Sequence, residues 1–565
     1  MDPSCVECEF NSFQHCNDLT EIKLSPNSEL HTICSYAFSA SSVEKIELPS
    51  SIQTLKKNWC SGSDLDSVKI IKNGDENIKI MRNKFLVGKL DPKSDIFDVL
   101  LFIPSKVKKA KIPTYIKQIT PFAFSSPYKV IIPKSSKLQT IYKYAFYCSC
   151  IEKFKIPSTI EKIGENAFGQ CRQLRRITFE DNPKLKTIEK YAFYQSSLKY
   201  IEIPSNVSCL NKGWCNQTNR LNKIKIIENG EVNIKLIDNK FIVGKTDLKS
   251  DTFDVLHFAC RDIEEIKIPS YIKRIESNAF DDCESLKKVE FEPNSQLQFI
   301  GDDAFSSASI DCIDLPSKLI EIGKYSFSHC TNLRKFNFSN DSMFEKFGSE
   351  AFFASGLTEI CIPANVKVIN KSAFSFSKIR KTTFQENSQL EIIEPCALSA
   401  SLQYLELPSN IRELKERWIC SSVLYKIKVI QNGQENIKFL NNFLLGKTDL
   451  QSDIFDMIYF ASRNIRKAII PANIKKIACK AFYGCHDLDY IDFGVNSELQ
   501  KIEKFAFGFS NINSIYIPPK VTEIEYYAFS NCEKLEIIEL SRSTFNSNEH
   551  NLLFDIDNAI FMIPH

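Results

Sequence analysis

Apolar residues recur along this chain in one fixed order. An apolar-x-apolar triplet is followed by Pro or a short polar turn, then an Ile-x-x-Ile step, then an Ala-Phe pair. From Ile263 to Cys283 the apolar set is Ile263, Ile266, Ile268, Ile272, Ile275, Ala279 and Phe280. Alternation of Ile266 and Ile268 about Lys267 predicts a half-buried strand, and the Ile272 to Ile275 step precedes a short turn that brings Phe280 back inward. The strand centres Lys155, Thr178, Glu202 and Lys225 stand 23 or 24 residues apart, as do Lys267, Glu290, Asp314, Asn337 and Cys361. A constant period of that size predicts a solenoid, in which each repeat buries its apolar set against the next.

Ala-Phe or a close variant recurs from Phe38 to Phe529, with Leu398 standing in once. The gaps between these Phe alternate near 22 and 25 while strand centres stay 22 to 24 apart, so length is absorbed away from the strands. Two strand endings occur, a Pro step as in Ile266-Lys267-Ile268-Pro269 and a longer polar turn as in Phe291-Glu292-Pro293-Asn294-Ser295. Pro cannot donate to a ladder, and Asn and Ser favour turns. Cys171, Cys283, Cys330, Cys485 and Cys532 each follow the Phe by three residues, which predicts a buried column of small side chains. Neighbours about 5 Å apart would permit an occasional disulfide, but without an export signal the 20 cysteines read as free thiols.

Three long interruptions share one sequence: Trp59 to Phe102, Trp214 to Phe258 and Trp418 to Phe460. Each carries a Trp with a Cys one or two residues on, an Asn-Gly pair, a segment such as Phe85-Leu86-Val87-Gly88-Lys89, and a closing Ser-Asp-x-Phe-Asp. Asn-Gly between apolar stretches predicts a tight hairpin, so each interruption reads as a folded island. The third is one residue shorter, because Asn442-Phe443 lacks the Lys of Asn239-Lys240-Phe241. The expected organisation is repeats over 1–57, an island at 58–102, repeats over 103–212, an island at 213–258, repeats over 259–416, an island at 417–460, repeats over 461–540, and a partial island or cap at 541–565. Weak polar caps at either end suggest either a trimmed gene product or burial of one end against a partner, end-to-end self-association included.

The 565 residues carry 72 basic and 69 acidic side chains, and the charges alternate along the repeats. Nucleic acid and acidic membrane surfaces need a concentrated basic field, so neither is expected as a partner. No stretch approaches the roughly 18 apolar residues of a transmembrane helix. Met1 to Cys8 has neither the basic nor the apolar part of a secretory signal, which reads as cytosolic.

The pattern Ile-x-x-Ile-x-x-x-Ala-Phe-x-x-Cys-x-x-Leu-x-x-Ile-x-Ile-Pro resembles the BspA-like leucine-rich-repeat family of oral bacteria and of anaerobic protozoa such as trichomonads. Ile160 to Cys171, Ile272 to Cys283 and Val521 to Cys532 carry its first half almost unchanged, and the resemblance covers nearly the whole chain. It implies an α/β-type repeat solenoid: a right-handed superhelix with a parallel β-sheet on one face, short turns or helical pieces on the other, and three hairpin-containing islands. The family is associated with cell surfaces, adhesion to host cells and matrix proteins, and co-aggregation, and it has no shared catalytic residues.

Candidate chemistry is sparse. Gly244-Lys245-Thr246 and Gly446-Lys447-Thr448 have the end of a phosphate-binding loop, yet Asn239 and Asn441 stand where its first Gly is required, so a strand-end turn is favoured. Asp91, Asp95 and Asp98, with their counterparts Asp247, Asp251 and Asp254 and Asp449, Asp453 and Asp456, could gather on Ca²⁺ or cap turns, and their spacing favours caps. Cys5, Cys8, His15 and Cys16 give half a zinc spacing. No cofactor, metal or catalytic constellation is expected. The exposed strand centres are the candidate protein-binding residues: Lys111, Lys155, Thr178, Glu202, Lys225, Lys267, Glu290, Asp314, Asn337, Thr383, Glu406, Lys428, Asp492 and Tyr516. The expectation is a non-enzymatic protein-binding solenoid with adhesion implied by the resemblance; the alternatives are an intracellular assembly scaffold and, less favoured, a hydrolase site in an island.

Overall fold

A computed structural model describes residues 6–540 and 560–562, apart from 57–58, 61–62, 64, 82–84, 105–106, 125–128 and 420–422. The chain forms two units, Met1–Ile263 with Ile275–Ser285, and Glu264–Arg274 with Leu286–His565. In the first, the apolar-x-apolar triplets of Lys153–Ile156, Arg176–Phe179, Tyr200–Pro204 and Lys223–Ile227 pair in parallel, with Phe154, Ile177, Ile201 and Ile224 in register and buried. The second Ile of each Ile-x-x-Ile step lies in a two-residue strand, and Thr140–Ile141, Lys162–Ile163, Thr187–Ile188 and Cys209–Leu210 form a second parallel ladder. The second unit repeats this plan, with Glu265–Ile268, Lys288–Phe291, Cys312–Asp314 and Lys335–Asn337 on one side and Phe299–Ile300, Glu321–Ile322 and Lys346–Phe347 on the other.

The α/β expectation, with helical pieces opposite the sheet, is overturned: no helix occurs among the described residues, and the fold is a β-solenoid. Backbone geometry at the Ala-Phe corner gives the reason. Asn166 and Gln170 flank Ala167-Phe168 at φ 52° and 53°, and Asn278 and Asp282 flank Ala279-Phe280 at 61° and 55°. A right-handed helix does not run through a left-handed residue every four positions. Hydrogen bonding follows suit. Ala167 and Gly169 donate within their own turn to Gly164 and Asn166 at 3.1 and 3.0 Å, whereas Phe168 and Gln170 donate to Ala192 and Tyr194 of the next coil at 2.7 and 2.6 Å. Where a helix returns every N–H to its own segment, this ladder of turns satisfies buried backbone groups between coils.

Inside the first unit, Phe124, Phe146, Phe168 and Phe193 stack at centroid distances of 4.2, 5.0 and 5.3 Å. Each such ring contributes about 1.5–3 kcal/mol only while the neighbouring coil covers it. The Cys column is buried as expected. It also supplies donors: the thiols of Cys171, Cys330 and Cys532 reach the carbonyls of Phe146, Phe305 and Phe507 one coil back at 2.9, 3.0 and 3.1 Å. Ser149 and Ser196 flank Cys171 in the column, and Ala308 and Ser355 flank Cys330, so these thiols have no Cys beside them in the column on an adjacent coil.

Each island starts where Trp takes the place of Phe. Trp214 meets Phe193 edge-on at 6.1 Å and Phe258 at 5.3 Å. Three antiparallel strands follow: Ile78–Met81, Phe85–Gly88 and Val99–Phe102 in the first island, Ile234–Ile237, Phe241–Gly244 and Val255–Ala259 in the second, Ile437–Leu440, Phe443–Gly446 and Met457–Ala461 in the third. The expected Asn-Gly hairpin is misplaced. Gly230, at φ 69°, turns the chain from Lys223–Ile227 towards Ile234–Ile237, and Asn229 donates from Nδ2 to the Pro183 carbonyl at 2.5 Å. The hairpins close one turn later, at Asp238 and Asn239 or at Asn441 and Asn442, all left-handed. Leu440 pairs with Phe443 across two residues, whereas Ile237 pairs with Phe241 across three, which accounts for the missing Lys. Asn tolerates the positive φ that a two-residue hairpin demands at both positions. In the first island that turn, 82–84, lies outside the described residues. Its central strand is buried on both faces, Leu86 packing with the repeats before it and Phe85 and Val87 with those after.

Candidate recognition surface

Along each long strand outward residues alternate with buried ones, so a strand shows the solvent its centre and the residue two before it. Register sets the centres side by side: Lys111 against Ile131, Lys155 against Thr178, Glu202 against Lys225, Lys267 against Glu290, Asp314 against Asn337, Glu406 against Lys428, and Tyr516 against Glu539. Thr383 stands beside exposed Cys361, and Asp492 beside Ile469, which is 68% exposed. All of the strand centres singled out from the sequence are exposed or half-buried. They fall into separate sheets of two to four strands.

Local contacts differentiate these positions. Lys69 and Lys428 pair with Glu47 and Glu406 at 2.7 and 3.6 Å. Glu202, their counterpart, instead accepts from the Tyr200 hydroxyl at 2.9 Å and the Phe179 N–H at 3.1 Å. In the second unit Lys288 pairs with Glu290 at 2.6 Å and Asn337 donates to Asp314 at 2.7 Å. There an open groove of about 620 Å³ is lined by Lys267, Glu290 and Asp314 together with Glu292, Asn294 and Lys318. Sequence reasoning followed strand centres and passed over the outward residue two before each. That series holds Lys109, Lys129, Lys153, Arg176 and Lys223 in the first unit, all exposed. Period-two alternation was the signal for them.

The islands use their charged residues for structure. Asp91, Asp247 and Asp449 accept from the backbone N–H two residues on at 3.0, 2.9 and 2.9 Å, as turn caps do. Asp98, Asp254 and Asp456 are buried and accept from Leu90, Thr246 and Thr448 at 3.0, 2.9 and 2.8 Å. The Gly-Lys pair serves packing. A methyl on Gly244 would overlap the His257 ring, one on Gly446 the Tyr459 ring, and each following Lys lies 5.1 Å over the Phe of Ser-Asp-x-Phe-Asp. A second Lys covers that ring, Lys79 over Phe97 at 3.7 Å and Lys235 over Phe253 at 4.2 Å. Among the described residues no group of three or more His, Cys, Asp or Glu is placed to hold a metal ion. Cys5, of the candidate zinc cluster, lies outside the described residues, as does the partial island or cap expected at 541–565 apart from 560–562. Among the described residues no helix is long and apolar enough to cross a membrane.

Comparison with known proteins places this repeat. The BspA type leucine rich repeat region matches six times, over residues 2–85, 98–222, 139–255, 252–380, 337–442 and 453–558. No curated protein matches the sequence. Similar solved structures include a leucine rich cell surface protein from Faecalibacterium prausnitzii, 22% identical, covering 63% of this chain and 83% of that one at a TM-score of 0.42. The pneumococcal vaccine antigen PcpA is 19% identical over 63% of this chain and 94% of its own, at 0.45. A leucine-rich repeat protein from Bacteroides ovatus is 19% identical over 86% and 98%, at 0.38. Family assignment rests on the matched repeats, which span almost the whole sequence: the chain belongs to the BspA-type leucine-rich-repeat family.

Proposed function

We propose that this protein is a non-enzymatic adhesin that recognises a protein ligand on the outward strand faces of its repeats. Family membership supports protein binding. The observation that carries the reading is the contrast within each strand: inward positions are restricted to Ile, Leu, Val, Phe and a few small residues, while the in-register outward positions vary freely. In the second unit these positions mix charge with Ile469, Tyr490 and Tyr516, exposed by 68%, 51% and 46%. Exposed aromatic and aliphatic anchors beside charged neighbours suit a protein interface. Labelling of intact, unpermeabilised cells with an antibody to the chain tests the adhesin reading, and labelling only after permeabilisation overturns it.

A second reading, an intracellular assembly scaffold, draws on the thiols. Cys148, Cys312 and Cys361 are exposed and free, which fits a reducing compartment.

A further inference from the structure

Positive charge that the linear sequence disperses is gathered on the first unit, from the end of its first island to the opening strand of its second. Strands Lys109–Lys111, Lys129–Ile131, Lys153–Ile156, Arg176–Phe179, Tyr200–Pro204 and Lys223–Ile227 succeed one another across this face. Their first residues run Lys, Lys, Lys, Arg, Tyr, Lys, and two positions further along Lys111, Lys155 and Lys225 share the same outward side. Among the described residues none of these eight cations has a carboxylate at ion-pair distance. The one carboxylate at the outward positions, Glu202, is held by the Tyr200 hydroxyl and the Phe179 N–H. At the corresponding place in the first island Lys69 is neutralised by Glu47.

We infer that this face binds a linear polyanion, a sulfated polysaccharide of the heparin type. Parallel strands lie about 4.8 Å apart, so five cations occupy the six places of the first column along about 24 Å. Such a line of charge matches a chain that carries anions along its length. The side chains are mostly Lys, point charges on flexible stems that follow sulfate groups without demanding the planar geometry of Arg. A single-stranded nucleic acid would need exposed rings to stack its bases. The ring on offer here, Tyr200, is half-buried and covered by the Arg176 guanidinium at 4.3 Å. A protein ligand would seek apolar anchors, and the outward positions supply only Ile131 and Tyr200, both half-buried. The inference is independent of protein recognition on the second unit.

The full chain on immobilised heparin at about 0.15 M salt provides the test, with chemically desulfated heparin as control. Replacing Lys109, Lys129, Lys153 and Arg176 by Glu is expected to weaken binding at least about tenfold and to flatten its salt dependence. The same four changed to Gln should weaken it in the same direction by less. Four reversals on the second unit, Lys288→Glu, Lys335→Glu, Lys381→Glu and Lys426→Glu, should alter binding by less than about twofold, with melting curves establishing that each variant is folded. The inference is overturned if wild type passes through heparin unretained, if both Glu sets weaken binding equally, or if polyuridylate binds as tightly as heparin.

Discussion

Asp456 shows how a single side chain holds an island together. It is 4% exposed, and burial pushes its carboxyl up, but the Thr448 hydroxyl at 2.6 Å, the Thr448 N–H and Lys475 at 3.1 Å outweigh burial and hold it below its ordinary value. Asp98 repeats the arrangement with Lys117 and the Leu90 N–H. A folded value below the unfolded one, about 3.9, means the stabilisation is complete above that pH and is lost as pH falls through the folded value. Melting temperature should therefore drop below about pH 4, and Asp456→Asn should cost about 1–3 kcal/mol at neutral pH while reducing that acid sensitivity. Unchanged acid sensitivity in the variant would count against this account. The sequence offered Asp456 as one of three equivalent carboxylates. Only its depth in the island separates it from Asp449, which caps an exposed turn.

At the scale of the element, the corner around Ala-Phe decides the fold class. Ser372 stands before Ala373-Phe374 at φ 55° and donates its N–H to the Pro395 carbonyl of the next coil at 3.0 Å. Ser372→Gly should be tolerated, whereas Ser372→Val should destabilise by about 1–3 kcal/mol, because a β-branched side chain is strained at positive φ. Denaturant titration of the two variants distinguishes them, and equal tolerance would indicate a corner that relaxes to another geometry. The strands at these coils were legible because alternation of buried and outward residues is a property of neighbouring positions. The corner was not, since Asn, Tyr, Ser and Phe all occupy the left-handed place, as at Asn166, Tyr325, Ser372 and Phe505. What they share is a backbone N–H that donates to the next coil, at Lys190, Ser349, Pro395 and Tyr527.

For the whole molecule, burial of each ring by the next coil makes stability a nearest-neighbour quantity. Phe168 stacks between Phe146 and Phe193, so Phe168→Ala should cost about 3–5 kcal/mol and loosen adjacent coils of the first unit. Hydrogen exchange should speed up around Phe146 and Phe193 and stay unchanged around Phe482, Phe507 and Phe529 in the second unit. Uniform acceleration throughout would show that the chain unfolds as one cooperative body.

Much of this protein is determined by its sequence alone: the period, the strand positions, the Phe and Cys columns, the three islands and the family all follow from residues that recur because every coil buries the same places. Tertiary structure decided the rest. Helix gave way to a ladder of turns because the partners of the Phe168 and Gln170 N–H groups lie 24 residues on, at Ala192 and Tyr194. Charges that read as evenly mixed became a basic strip on one face for the same reason. Lys153 and Arg176 are 23 residues apart along the chain and direct neighbours across a parallel sheet, where electrostatics acts through space.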